Sequence, residues 1–124
     1  MSAGGTAPRY FVVLNAARGK VVASRVAIAA DLGSRSKGLL GRTSLAPEEG
    51  LWIVPCPMIH TFFMKFPIDA LFLDDARRVV RVIEGLKPWR VSPWVWSARS
   101  VLELKGGVLR GSVRVGDRLE MTPA

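Results

Sequence analysis

Cysteine and histidine each occur once in the chain, as Cys56 and His60. One thiol cannot close an intrachain disulfide. One thiol with one imidazole cannot complete a structural zinc site of four cysteines, or of two cysteines and two histidines. Long apolar runs are also missing, and none approaches the ~20 residues that cross a bilayer as a helix. Residues 10–14 follow Arg9 and loosely resemble the apolar part of a secretion signal. They lack a basic leader and a convincing cleavage site, so a first strand is the better reading and the cytoplasm is the expected location. Acidic residues are few, 10 against 18 basic ones, which leaves a net charge of +8. A field of that sign attracts phosphate or anionic lipid. The cations nevertheless lie scattered from Arg9 to Arg118, with no run longer than Arg77-Arg78. Net charge alone speaks to non-specific association, not to fold or role.

What is present is a strand-rich pattern in a chain of 124 residues, near the commonest size for one domain. Residues 1–8 read as a disordered lead-in, and 9–122 as a single domain. Strands are expected at 10–14, 20–28, 51–54, 68–73, 78–83, 99–104 and 118–121, where β-branched and aromatic residues gather between turn signals. The loop from Asn15 ends at Gly19, which suits a left-handed hairpin position. Residues 68–73 and 78–83 form the clearest hairpin, joined across Asp74, Asp75, Ala76 and Arg77. Asp31 is placed to cap a short helix over 32–40, weakened by Gly33 and Gly38. Residues 87–93 hold Pro88 and Pro93 and read as a loop or irregular edge. The expected fold is mainly β with one short helix (α+β), a small β-barrel-like single domain.

Chemistry-bearing residues concentrate between Cys56 and Asp69. The strand beginning at Ile68 is apolar on both faces, so Asp69 is expected to be buried. A buried carboxylate needs donors or a cation, and His60, Thr61, Lys65, Arg35 and Arg42 are the available partners.

The string Ile59-His60-Thr61-Phe62-Phe63-Met64-Lys65-Phe66-Pro67-Ile68-Asp69, followed by Phe72-Leu73-Asp74, resembles the signature of domain-of-unknown-function family 192. Arg35-Ser36-Lys37-Gly38-Leu39-Leu40, Leu102-Glu103-Leu104-Lys105-Gly106 and Val115-Gly116-Asp117-Arg118 match further marks of that family, so the likeness runs from about Val22 to Met121. The resemblance implies a small barrel-like fold with one helix and implies no activity. The segment 89–96, rich in Trp, is not one of the family's marks. Gly116-Asp117 also resembles the turn of cradle-loop barrels, in which the Asp side chain orders the next strand.

Three readings of the central stretch compete. In the plain structural one, Asp69 and Thr61 satisfy buried backbone or each other, and His60 is a hydrogen-bonded core or rim histidine. In the second, the protein binds an unknown small ligand without chemistry. Its pocket would be built around His60, Thr61 and Asp69, with Met64, Arg35 and Glu103 in the binding set and Phe62, Phe63 and Trp52 as walls. Together these make a non-catalytic small-ligand-binding or structural module, with no cofactor and no resident metal expected. The alternative is a small hydrolase-like or metal-dependent enzyme, with Cys56, His60 and Asp69 as nucleophile, base and orienting group or as three metal ligands. A second alternative is weak nucleic-acid binding through scattered Arg and the loop holding Trp89, Trp94 and Trp96. Against it, Trp94 and Trp96 are expected to alternate inward and cover one end of the core.

Overall fold

A computed structural model of the chain describes residues 9–31, 33 and 38–124. β-Branched and apolar segments become seven strands: β1 (Phe11–Asn15), β2 (Lys20–Ala29), β3 (Glu49–Ile53), β4 (Ile68–Leu73), β5 (Val79–Leu86), β6 (Ser100–Lys105) and β7 (Leu119–Pro123). All belong to one sheet of order β5-β4-β6-β3-β2-β1-β7. β2 and β3 run parallel, with Ala27 beside Leu51, and the other pairs are antiparallel. A parallel pair needs a long crossover, supplied here by residues 30–48. The helix expected over 32–40 falls on that crossover and is not borne out among the described elements. Residues 32 and 34–37 lie outside the described residues, and 38–40 form a turn. The lead-in at 1–8 also lies outside them.

The sheet curls into a half-barrel. At one end its two edge strands meet: Val79 N donates to Asp117 O, Gly116 N to Val79 O and Leu119 N to Arg77 O, at 2.8–2.9 Å. Strand alternation sorts the side chains into two cores. Leu71, Leu73, Leu102, Leu104, Val13, Val26 and Leu119 fill the first, inside the curl. Ile68, Ala70, Phe72 and Val101 face the other way and pack with Leu39, Leu45, Ile59 and Met64 from the loops. All six residues of β4 are buried, as expected for a strand apolar on both faces. Gly19 takes φ +64 at the close of the first hairpin, as its position requires. Gly106 is demanded by space: a Cβ there would lie 2.8 Å from Pro67 O.

The second core matters for function because of what covers it. Residues 56–66 cross it in one direction and residues 87–98 return alongside. His60 bridges Val91 in antiparallel fashion. Ser92 N donates to Ile59 O, and Val95 N to Pro57 O, both at 2.9 Å. These two segments form a partial outer layer.

Candidate functional site

Asp69 is fully buried at the start of β4, and its partners are backbone amides. Oδ1 accepts from Gly85 N at 2.8 Å and from Gly107 N at 3.0 Å, and Oδ2 accepts from Leu109 N at 3.0 Å. This is the backbone-satisfying role of the plain structural reading, and none of the side-chain partners the sequence offered is used. Lys65 and His60 are exposed, Thr61 is bonded elsewhere, Arg42 pairs with Glu49 at 3.2 Å, and Arg35 lies outside the described residues. The physical reason is local. Bulged β5 and the turn after β6 both leave N–H groups without ladder partners, and a short carboxylate between them satisfies all three.

Thr61 pins the outer layer. Its hydroxyl donates to Lys87 O at 2.6 Å and accepts from Arg90 N at 2.9 Å, while its own N–H donates to Arg90 O at 2.8 Å. Ser92 Oγ does the same further along, accepting from Ile59 N at 2.9 Å and donating to Pro93 O at 3.0 Å. Thr61 and Ser92 are both buried. They therefore serve the backbone and do not line a pocket with Asp69.

The pinned layer turns most of its aromatic side chains outward, Phe66 excepted. Six of the nine large apolar side chains exposed among the described residues belong to it: Phe62, Phe63, Trp89, Val91, Trp94 and Trp96. Trp96 is 88% exposed, Phe63 69%, Trp89 55% and Trp94 51%. The expected inward alternation of Trp94 and Trp96 is thus wrong, because the core beneath is already filled by Phe72, Val101, Ile59 and Met64. The rings form two platforms. In the first, His60 stacks on Phe62 at 5.1 Å, and Trp89 meets Phe62 at 6.1 Å and Phe63 at 4.7 Å. In the second, Trp94 meets Trp96 at 5.7 Å. Phe63 and Trp89, which face each other, both hold φ +65, a left-handed conformation that is costly for bulky residues. Neither 54–68 nor 87–102 contains a carboxylate, while Lys65, Lys87, Arg90 and Arg99 supply positive charge. That lack of acid was the sequence signal for this surface, and it was legible from the start.

The remaining expected site residues are dispersed. His60 is exposed, and its Nδ1 accepts from Phe62 N at 3.3 Å. Cys56 is half-buried against the second core, with Sγ donating to Met58 O at 2.9 Å. Met64 is a core side chain of the same cluster. Among the described residues no three His, Cys, Asp or Glu side chains are grouped to hold a metal, so Cys56, His60 and Asp69 do not form a three-ligand set. Trp52 packs against the first core, with Arg77 over its ring at 5.4 Å, and is no wall of a pocket with Phe62 and Phe63. Glu103 is 3% exposed, between Leu51 of β3 and Ala70 of β4 on the second-core side. Its carboxyl has no hydrogen bond among the described residues, and burial pushes it up to about 8. Asp117 is the opposite case. Asn15 Nδ2, Arg114 N and Arg18 Nε all donate to its Oδ2 at 2.9–3.0 Å, holding the carboxyl down at about 2. It orders the turn before β7, as the Gly116-Asp117 pattern suggested.

A curled seven-stranded half-barrel, latched by buried carboxylates and roofed by a pinned aromatic layer, defines a small, mainly β protein class. The chain belongs to domain-of-unknown-function family 192, described as uncharacterised ACR, whose profile matches residues 13–121. A UPF0127 protein of Pyrococcus furiosus is 33% identical over 115 residues, covering 87% of this chain and 96% of its own. A UPF0127 protein of Thermococcus sibiricus is 31% identical over 118 residues, covering 88% and 73%. Two crystal structures share the fold. One, from Sinorhizobium meliloti 1021, carries the provisional name of transcription regulator and superposes with a TM-score of 0.79 at 27% identity, covering 93% of this chain and 94% of that one. The other, a protein of unknown function from Novosphingobium aromaticivorans, gives 0.77 at 24%, covering 97% of each. No helix of the described residues is long and apolar enough to cross a membrane.

Proposed function

We propose that the protein is a non-catalytic binding module whose working surface is the aromatic layer over the second core. The partner has flat unsaturated groups and negative charge. One observation carries the reading: large rings stand in water on backbone pinned by Thr61 and Ser92, in segments with four cations and no carboxylate. Exposed aromatic patches of this kind mark interaction sites. Strained φ at Phe63 and Trp89 adds support, since such strain persists where function holds it. The ligand site is thereby moved from a pocket among His60, Thr61 and Asp69 to the outer face that carries His60. A catalytic role for Cys56, His60 and Asp69 has less behind it, because both oxygens of Asp69 are engaged by amides.

The test uses anilinonaphthalene sulfonate, fused rings bearing one anionic group, with the folded protein. Saturable binding is expected, weakened by about tenfold in Trp89→Ala, in line with the loss of one stacking partner. Cooperative melting must be retained, which separates surface binding from dye uptake by a loosened core. No binding to the native protein, or equal binding by Trp89→Ala, overturns the reading.

A further inference from the structure

We infer that the two ring platforms form a track for single-stranded nucleic acid, on which bases stack while Lys65, Lys87, Arg90 and Arg99 meet the phosphates. This rests on the reading of the aromatic layer as the working surface, and it names the partner. The layer follows the length of the strands beneath it, β4 alone being about 20 Å long at ~3.3 Å per residue. His60, Phe62, Phe63 and Trp89 occupy one part, where Thr61 ties the layer to the end of β5. Trp94 and Trp96 occupy the other, towards Arg99, whose N–H donates to the last residue of β4. Arg90 and Val91 lie between them in the chain.

Ring, cation, ring along an extended path matches a chain that alternates flat bases with single negative charges. Single-strand binders combine these two elements, and stacking tolerates any base because every base has a π-face. A lipid surface would be met better by a continuous apolar ridge without cations than by two ring groups with exposed Arg90 beside Val91 between them and Lys65, Lys87 and Arg99 around them. A duplex hides its base faces and offers nothing for Trp96 to stack on. The strained pair supplies an independent argument. At φ +65 a glycine is the relaxed residue, so a sequence shaped only for stability would carry glycine at 63 and 89. Phe and Trp stand there instead, each more than half exposed.

The experiment is a titration of the full chain, followed by its own Trp fluorescence, with four probes. These are oligothymidylate, a matched duplex, inorganic polyphosphate, and vesicles of phosphatidylserine. The expected result is quenching and saturable binding by oligothymidylate, with the duplex and polyphosphate at least about tenfold weaker. Arg90→Gln is expected to reduce the slope of log K against log salt by about 0.7, the value for one neutralised phosphate on a single strand. Phe63→Gly and Trp89→Gly provide the arm that misfolding cannot mimic. Both are expected to keep or raise the melting temperature while weakening oligothymidylate binding about tenfold or more. Equal affinity for duplex or polyphosphate overturns the inference, as does preference for the vesicles or unchanged binding in both glycine variants. If the dye binds through Trp89 and the oligonucleotide does not, this inference fails while the binding-module reading stands. If neither binds, both fail.

Discussion

Asp69 and Glu103 lie on neighbouring strands, Asp69 opposite Leu104 and Glu103 opposite Ala70, so they point to opposite faces of the same sheet. Both are withdrawn from water. Asp69 receives three amide N–H groups, one from the bulge of β5 and two from the turn after β6, whereas Glu103 receives none among the described residues. The contrast shows that burial of a carboxylate does not by itself tell which way it acts on stability. The amides around Asp69 would be orphaned without it, so it latches the turn after β6 and the bulge of β5 to the sheet. Glu103 sits between Leu51 and Ala70, where burial favours its protonated form and makes ionising it costly.

Removing the latch is expected to have the largest effect. Asp69→Ala leaves three buried N–H groups without acceptors and should lower unfolding free energy by about 4 kcal/mol. Denaturant titration measures this, and a midpoint close to wild type would mean that water replaces the carboxylate at no cost.

Glu103→Gln is expected to have the opposite sign. The folded carboxyl titrates at about 8 against an ordinary 4.5, so below pH 4.5 both states hold the proton and nothing is lost. Between 4.5 and 8 the unfolded chain releases its proton and the folded chain does not, so stability falls as pH rises and levels off above 8. At neutral pH this costs the wild type roughly 3 kcal/mol, of which the amide should recover about 2. Melting curves at pH 5, 7 and 8.5 give the comparison, and a Gln variant that melts lower than wild type at pH 7 would sink it.

Asp117 sharpens the contrast at the small end, since it is a latched carboxylate near the surface. Its depressed value, first through the Asn15 amide and then through Arg114 N–H and Arg18, means that its contribution is full above pH 3.8 and fades as pH falls through about 2. Asp117→Asn should cost about 1 kcal/mol at neutral pH, because solvent weakens the Arg18 pair. Equal stability of variant and wild type at pH 7 would assign the ordering of that turn to glycine and backbone alone.

The strands were legible because β-branched runs and Gly or Asp turns are local signals. The bounds of β4 and the left-handed Gly19 come straight from residue type. The burial of Asp69 was legible from the two apolar faces of β4, but its partners were not. Buried backbone was one of the readings left open, but backbone amides carry no residue label, so nothing in the sequence named Gly85, Gly107 and Leu109. The direction of Trp94 and Trp96 was not legible either. Alternation says that two residues share a side, and only the filled core beneath says which side that is. The expected helix rested on a cap and on Leu32, Leu39 and Leu40 sharing a face with Ser36 across Gly33 and Gly38; 38–40 form a turn, and 32 and 34–37 lie outside the described residues.

One pairing also has a meaning in time. β1 is formed from residues 11–15, yet one of its two neighbours is β7, residues 119–123, and buried Asn15 donates to Asp117 across the same gap. While the chain is being made, β1 can pair with β2 at once but must present its other edge to solvent until nearly every later residue exists. Contacts so distant in sequence are slow to form and leave an unpaired edge open to other chains. The half-barrel therefore has a late closing step, and its most hazardous moment is the interval before the last strand arrives.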